Sequence, residues 1–120
     1  MESKEGMNSY VNQVAKKNNW ILNQEKRTLS DLIDGLVENK KSLGYQSCPC
    51  RLASGVRDLD RDLICPCDYA AQDIKEFFAC YCNLYLSSDF YNKSVDYIIV
   101  PERRPIEKEK AVLEFINQNK

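Results

Sequence analysis

Met7, Tyr10, Val11, Val14 and Ala15 fall at i, i+3, i+4, i+7 and i+8, which predicts an amphipathic helix. Trp20, Ile21 and Leu22 follow as a short apolar connector. A second stripe, Leu29, Leu32, Ile33, Leu36 and Val37, predicts a helix from about Gln24 to Leu43, stopped by Gly44. Gly35 costs this helix roughly 1 kcal/mol relative to alanine, but the stripe runs across it unbroken. Beyond Gly44 the period dissolves into turns and short helices. Asp68 is the expected N-cap of a helix from about Tyr69 to Ala79, with Ala70, Ile74, Phe77 and Phe78 on its apolar face. Leu84, Tyr85 and Leu86 make an apolar triplet. Tyr97-Ile98-Ile99-Val100 is β-like, ends at Pro101 and has no partner strand in the pattern. It is expected to lie extended on the surface or on a partner. Pro105 opens a last helix with Val112, Leu113 and Ile116 apolar, and Glu107-Lys108-Glu109-Lys110 reads as its solvated face. The expected class is mainly α, a small helical fold with residues 1–120 as one domain.

Composition narrows the function. Hydrophobic residues are 43% of the chain, enough for a core that needs no disulfide staples. The 17 basic and 18 acidic side chains are interspersed, so no basic surface argues for nucleic acid. No apolar run approaches a membrane span. Met1 to Gly6 is polar and lacks the apolar core of a secretory signal, so a cytoplasmic location is expected. The chain has no histidine. That removes His-ligated zinc, Rieske-type ligation and any Cys–His or Ser–His pair. Proton transfer is left to Cys, Tyr, Asp, Glu, Lys or water.

The chemistry sits in six cysteines arranged as three C-x-C pairs: Cys48-Pro49-Cys50, Cys65-Pro66-Cys67 and Cys80-Tyr81-Cys82. In the cytosol, grouped cysteines serve as metal ligands or catalytic thiols more often than as structural disulfides. Residues before proline avoid the α region, so Cys48 and Cys65 should be extended, and in extended chain Cys65 and Cys67 reach one site together. A cubane iron–sulfur cluster or a tetrahedral zinc needs four thiolates, which leaves two sulfurs over. Structural zinc is one reading, although zinc sites favour C-x₂₋₄-C spacing. Thiols packed as small apolar residues are a second, and a plain iron–sulfur electron carrier is a third. The fourth is a cluster beside an active dithiol, in which one-electron supply meets two-electron disulfide chemistry. Counting alone does not say which two thiols are spare.

Around these pairs the chain resembles the catalytic subunit of ferredoxin–thioredoxin reductase. The resemblance is carried by Cys48-Pro49-Cys50-Arg51, Cys65-Pro66-Cys67 and Cys80-Tyr81-Cys82 with Leu84-Tyr85-Leu86. It runs from about Leu43 to Leu86 and is weaker in the flanking helices and in Pro101-Glu102-Arg103-Arg104-Pro105. It implies a mainly helical, disc-like fold around a 4Fe-4S cluster held by Cys48, Cys65, Cys67 and Cys80. It also implies a redox-active disulfide, Cys50–Cys82. Cys50 would attack the target disulfide, and Cys82 would sit against the cluster during the one-electron intermediate and later resolve the mixed disulfide. The implied donor is ferredoxin or a rubredoxin-like protein, and the implied acceptor is thioredoxin or a relative. Plant-type members carry histidine where this chain has Tyr81, have a shorter gap before the last pair and use a second, small β-barrel subunit. The chain looks like the bacterial and archaeal branch. Tyr81 either positions groups or delivers protons, or it simply packs against the cluster; a phenol near pKa 10 is a poor base at neutral pH. Arg51 either lowers a thiolate pKa by its charge or is a surface arginine without a role.

Overall fold

The structure, a computed structural model, describes residues 2–93 and 97–119. Helix α1 spans Lys4–Asn18: the Ser3 side chain accepts the Gly6 N–H at 3.0 Å, and Asn19 closes the helix in the left-handed region. Helix α2 spans Lys26–Leu43, two residues shorter at its start than the pattern predicts. The Glu25 carboxylate takes the Arg27 and Thr28 N–H groups and so fixes that start. Gly44 ends α2 at φ 89°, as expected. Met7, Val11 and Ala15 of α1 pack with Ile33, Leu36 and Val37 of α2 in one buried cluster, which also takes in Cys48, Cys65, Cys80 and Cys82. Gly35 has a packing reason: a Cβ there would meet Pro49 Cβ at 2.7 Å, so the missing side chain lets the first cysteine loop lie on α2.

The connector between α1 and α2 is a strand. β1, Ile21–Leu22, pairs antiparallel with β2, Tyr85–Leu86, with Ile21 opposite Leu86 and Leu22 opposite Tyr85. This pairing ties the two-helix layer to the third cysteine pair. Helix α3 spans Arg57–Asp60 and runs into a 3₁₀ turn, Arg61–Leu63. Helix α4 spans Ala70–Phe77, shorter than predicted at both ends. Tyr69 holds the cap position and no side chain caps it, so Asp68 does not act as the N-cap. Phe78, in the left-handed region at φ 69°, ends it early. A second 3₁₀ turn covers Phe90–Lys93, and α5 spans Ile106–Gln118 after Pro105. Val112 is buried on α5, whereas Leu113 is 43% exposed. Glu107 to Lys110 are all exposed.

Tyr97–Val100 forms no strand. The buried Asn83 side chain takes the strand partner's place: Ile98 N–H donates to Asn83 Oδ1 at 3.1 Å, and Asn83 Nδ2 donates to Ile98 O at 2.9 Å. The strap that follows is pinned by three consecutive charged side chains. Glu102 accepts from Arg51, Arg103 donates to Asp73 and Glu76, and Arg104 donates to Asp62. The molecule is flattened, 46 × 31 × 23 Å. No helix among the described residues is long and apolar enough to cross a membrane.

Candidate active site

Backbone hydrogen bonding brings the three cysteine pairs together. Ser47 and Ile64 form an antiparallel bridge. Around it Cys48 N–H donates to Leu63 O at 2.8 Å and Cys65 N–H to Gln46 O at 2.9 Å. The first two pairs therefore leave one bridge side by side. The Cys65–Pro66 peptide is cis. The third pair lies in a tight loop closed by a bridge between Ala79 and Leu86, with Cys80 N–H donating to Tyr85 O at 3.0 Å and Asn83 at φ 61°. Tyr10 of α1 reaches across and donates to Cys65 O at 2.6 Å.

The six thiols divide between two hollows. Cys48, Cys65, Cys67, Cys80 and Cys82 line one hollow, walled by apolar groups such as Ala70 and Leu84. Cys50 is exposed and lines a neighbouring surface cleft with Arg51, Leu52, Tyr81 and Leu113. Tyr81 borders both hollows. All six cysteines are free thiols. Cys82 is their hub. Its sulfur is 3.9 Å from that of Cys80, and Cys48 and Cys50 both act on its pKa.

These neighbours sort the thiols by ease of ionisation. Hydrogen bonding toward Cys48, Cys50 and Cys80, reinforced by burial, holds Cys82 well above the ordinary thiol range. Two of these neighbours, Cys48 and Cys80, move the other way. Cys48 is lowered by Cys50 and then Cys82, and Cys80 by Cys82 against the opposing effect of burial. Cys50 is pushed up to about 12, first by its hydrogen bond with Cys48. Burial raises Cys65, and raises Cys67 to about 11.

Further groups complete the site. Arg51 is not a surface residue: its side chain is 3% exposed and lies over the Tyr81 ring, 4.1 Å from the centroid. It forks onto Glu102 and approaches Cys67 Sγ at 3.6 Å. Tyr85 is buried, with its hydroxyl 3.6 Å from Cys65 Sγ and its ring against Trp20. Burial, then the Cys50 and Cys82 charges, raise the Tyr97 pKa. Glu102 and Tyr97 are more than fourteen positions from the nearest cysteine in the chain, so only folding reveals them.

The donors suit a cluster held by thiolates. Cys48, Cys65, Cys67 and Cys80 all border the cavity. Three of these sulfurs have an N–H or O–H beside them: the Tyr85 N–H on Cys80 at 3.3 Å, the Tyr85 hydroxyl by Cys65, and Arg51 by Cys67. Such donors are what tune sulfur ligands. Among the described residues no three metal-binding side chains close on a single ion-sized point. No curated protein matches the chain. The family described as ferredoxin thioredoxin reductase catalytic beta chain matches residues 1–113, and the chain belongs to this family.

Proposed function

Proceeding from that family, we propose that the chain is a cytoplasmic ferredoxin-dependent thioredoxin reductase, an iron–sulfur disulfide reductase acting as one catalytic domain. Cys48, Cys65, Cys67 and Cys80 hold a 4Fe-4S cluster, and Cys50 and Cys82 form the redox-active pair. When bound, the cluster supplies electrons one at a time, taken from a ferredoxin or rubredoxin-like donor. The observation that carries the reading is the place of Cys82, whose sulfur lies 3.9 Å from that of the cavity-lining Cys80 and whose pKa is raised by both Cys48 and the exposed Cys50.

The protein's own steps follow from thiol–disulfide exchange. The Cys50 thiolate attacks one sulfur of the acceptor disulfide, forms a mixed disulfide and releases the acceptor's other sulfur as thiolate. Cys82 attacks the Cys50 sulfur of that mixed disulfide. This forms the Cys50–Cys82 bond and releases the second acceptor thiolate. Two electrons pass to the acceptor, whose thiolates take two protons, and two donor electrons restore the dithiol. Exposure suits Cys50 to meet a protein substrate, and burial protects Cys82 from it. The acceptor is thioredoxin or a thioredoxin-like protein.

Anaerobically purified protein should contain iron and acid-labile sulfide, about four of each per chain. Cys50→Ser and Cys82→Ser should keep both and lose turnover, with Cys82→Ser trapping the acceptor on Cys50. One zinc per chain, no sulfide and chemically silent variants would instead identify a zinc-stabilised interaction module. A wild type that shuttles electrons but reduces no protein disulfide would be a plain carrier. Turnover by the purified chain alone tests whether the β-barrel variable subunit of the plant-type enzymes is dispensable here.

A further inference from the structure

Arg51 carries a permanent charge into a buried position, a cost that needs compensating contacts. Every part of its guanidinium is used. Nε and Nη2 grip the Glu102 carboxylate at 2.9 and 2.7 Å. Nη1 is left for Cys67 Sγ, at 3.6 Å. Its Cζ also lies over the Tyr81 ring, 4.1 Å from the centroid, and over Tyr69 at 5.4 Å. The arrangement is asymmetric. Because the carboxylate occupies one edge and the sulfur lies off the remaining nitrogen, the positive charge stands between them. Cys67 is only half-buried, whereas Cys48, Cys65 and Cys80 are buried.

We propose that Arg51 is a positioning residue that sets the reduction potential of the metal centre through Cys67, and that Glu102 trims its effect. This rests on Cys67 being a cluster ligand. Taking up one electron adds one negative charge beside that sulfur. A fixed positive charge and an N–H donor at the sulfur favour the reduced state, and the carboxylate behind them opposes it. The two tyrosine rings and the Glu102 fork hold the guanidinium at one distance, so the bias does not fluctuate as it would with a mobile surface arginine. Lysine cannot reproduce it, because an ammonium has no planar fork to grip the carboxylate while pointing a second nitrogen at sulfur.

The test is a dye-mediated redox titration of anaerobic holoprotein, followed by electron paramagnetic resonance. Arg51→Gln should move the midpoint to lower potential, Glu102→Gln should move it to higher potential, and Arg51→Lys should fall between wild type and Arg51→Gln. General loosening of the site does not produce opposite signs from two partners of one ion pair. An Arg51→Gln protein with full iron and sulfide content and the wild-type midpoint overturns the assignment. Should Arg51→Gln fail to retain its cluster, Glu102→Gln decides: an upward shift supports the role, and an unchanged or lowered midpoint overturns it. Metal analysis precedes the titration. A wild type without iron and sulfide therefore defeats the parent reading and this role with it, whereas an intact cluster with indifferent midpoints defeats only the role of Arg51.

Discussion

The two-helix layer and the cysteine region are held together by different physics. In α1 and α2 the contacts are apolar side chains repeated at helical spacing, with Met7, Val11 and Leu36 fully buried. Such contacts are non-directional, and many substitutions of similar volume satisfy them. Between Gly44 and Pro105 the helices are short, and polar groups with single partners set the path of the chain. Buried Asp60 accepts from Tyr45, Ser54 and Gly55, which shapes the loop after Cys50. Buried Asp62 accepts from Arg104 at 2.8 Å and Tyr69 at 2.7 Å, which fastens the strap over the second cysteine pair. Asn83 fixes the third loop to Ile98. Six sulfurs cannot be aimed by a helical stripe alone, because reactive thiols need defined directions as well as burial. The helical layer supplies stability, and the polar pins supply geometry.

Removing one pin should be the most damaging change. Asp62→Ala leaves Arg104 buried without its carboxylate and should cost about 3–5 kcal/mol, measured by denaturant unfolding. Leu36→Ala, in the apolar layer, should cost about 2–5 kcal/mol by the same measurement, but should leave the relative reactivities of the six thiols unchanged. Equal disturbance of the thiols by both substitutions would erase the contrast between the two regions. Gly35→Ala lies on the boundary. Its gain in helix propensity should be outweighed by the clash with Pro49, for a net loss of roughly 1–2 kcal/mol and altered alkylation of Cys48 or Cys50, read by mass spectrometry.

Acid should act on the polar region first. Burial raises the Asp62 carboxyl, but hydrogen bonds from Arg104 and Tyr69 outweigh it and hold the value below the usual range. Glu102 is likewise held low against burial by Arg51 and by the Arg104 N–H. Because both folded-state values lie below the unfolded ones, these groups contribute stability above about pH 4 and lose it as pH falls through their folded values. Thermal unfolding against pH should therefore decline below about pH 4, and more shallowly in Asp62→Asn. The smallest effect is expected on the solvated face of α5, where Glu107→Lys should change unfolding free energy by less than about 0.5 kcal/mol.

The periodic stripes determined α1, α2 and α5 and the mainly α class, because an amphipathic helix buries its face wherever a core is offered. The three C-x-C pairs marked where the chemistry lies, since few other residue types bind iron or exchange disulfides. Tertiary structure decided the rest. Ile21–Leu22 became a strand only through Tyr85–Leu86, more than sixty positions away. Within the extended Tyr97–Val100 segment, Ile98 is held by the buried Asn83 side chain. Arg51 left the surface because Glu102, Tyr69 and Tyr81 converged on it from three other segments. Local pattern encodes which groups leave water. Which sulfur meets which neighbour depends on loops closed by partners far along the chain, and directional bonds of that kind leave no period to read.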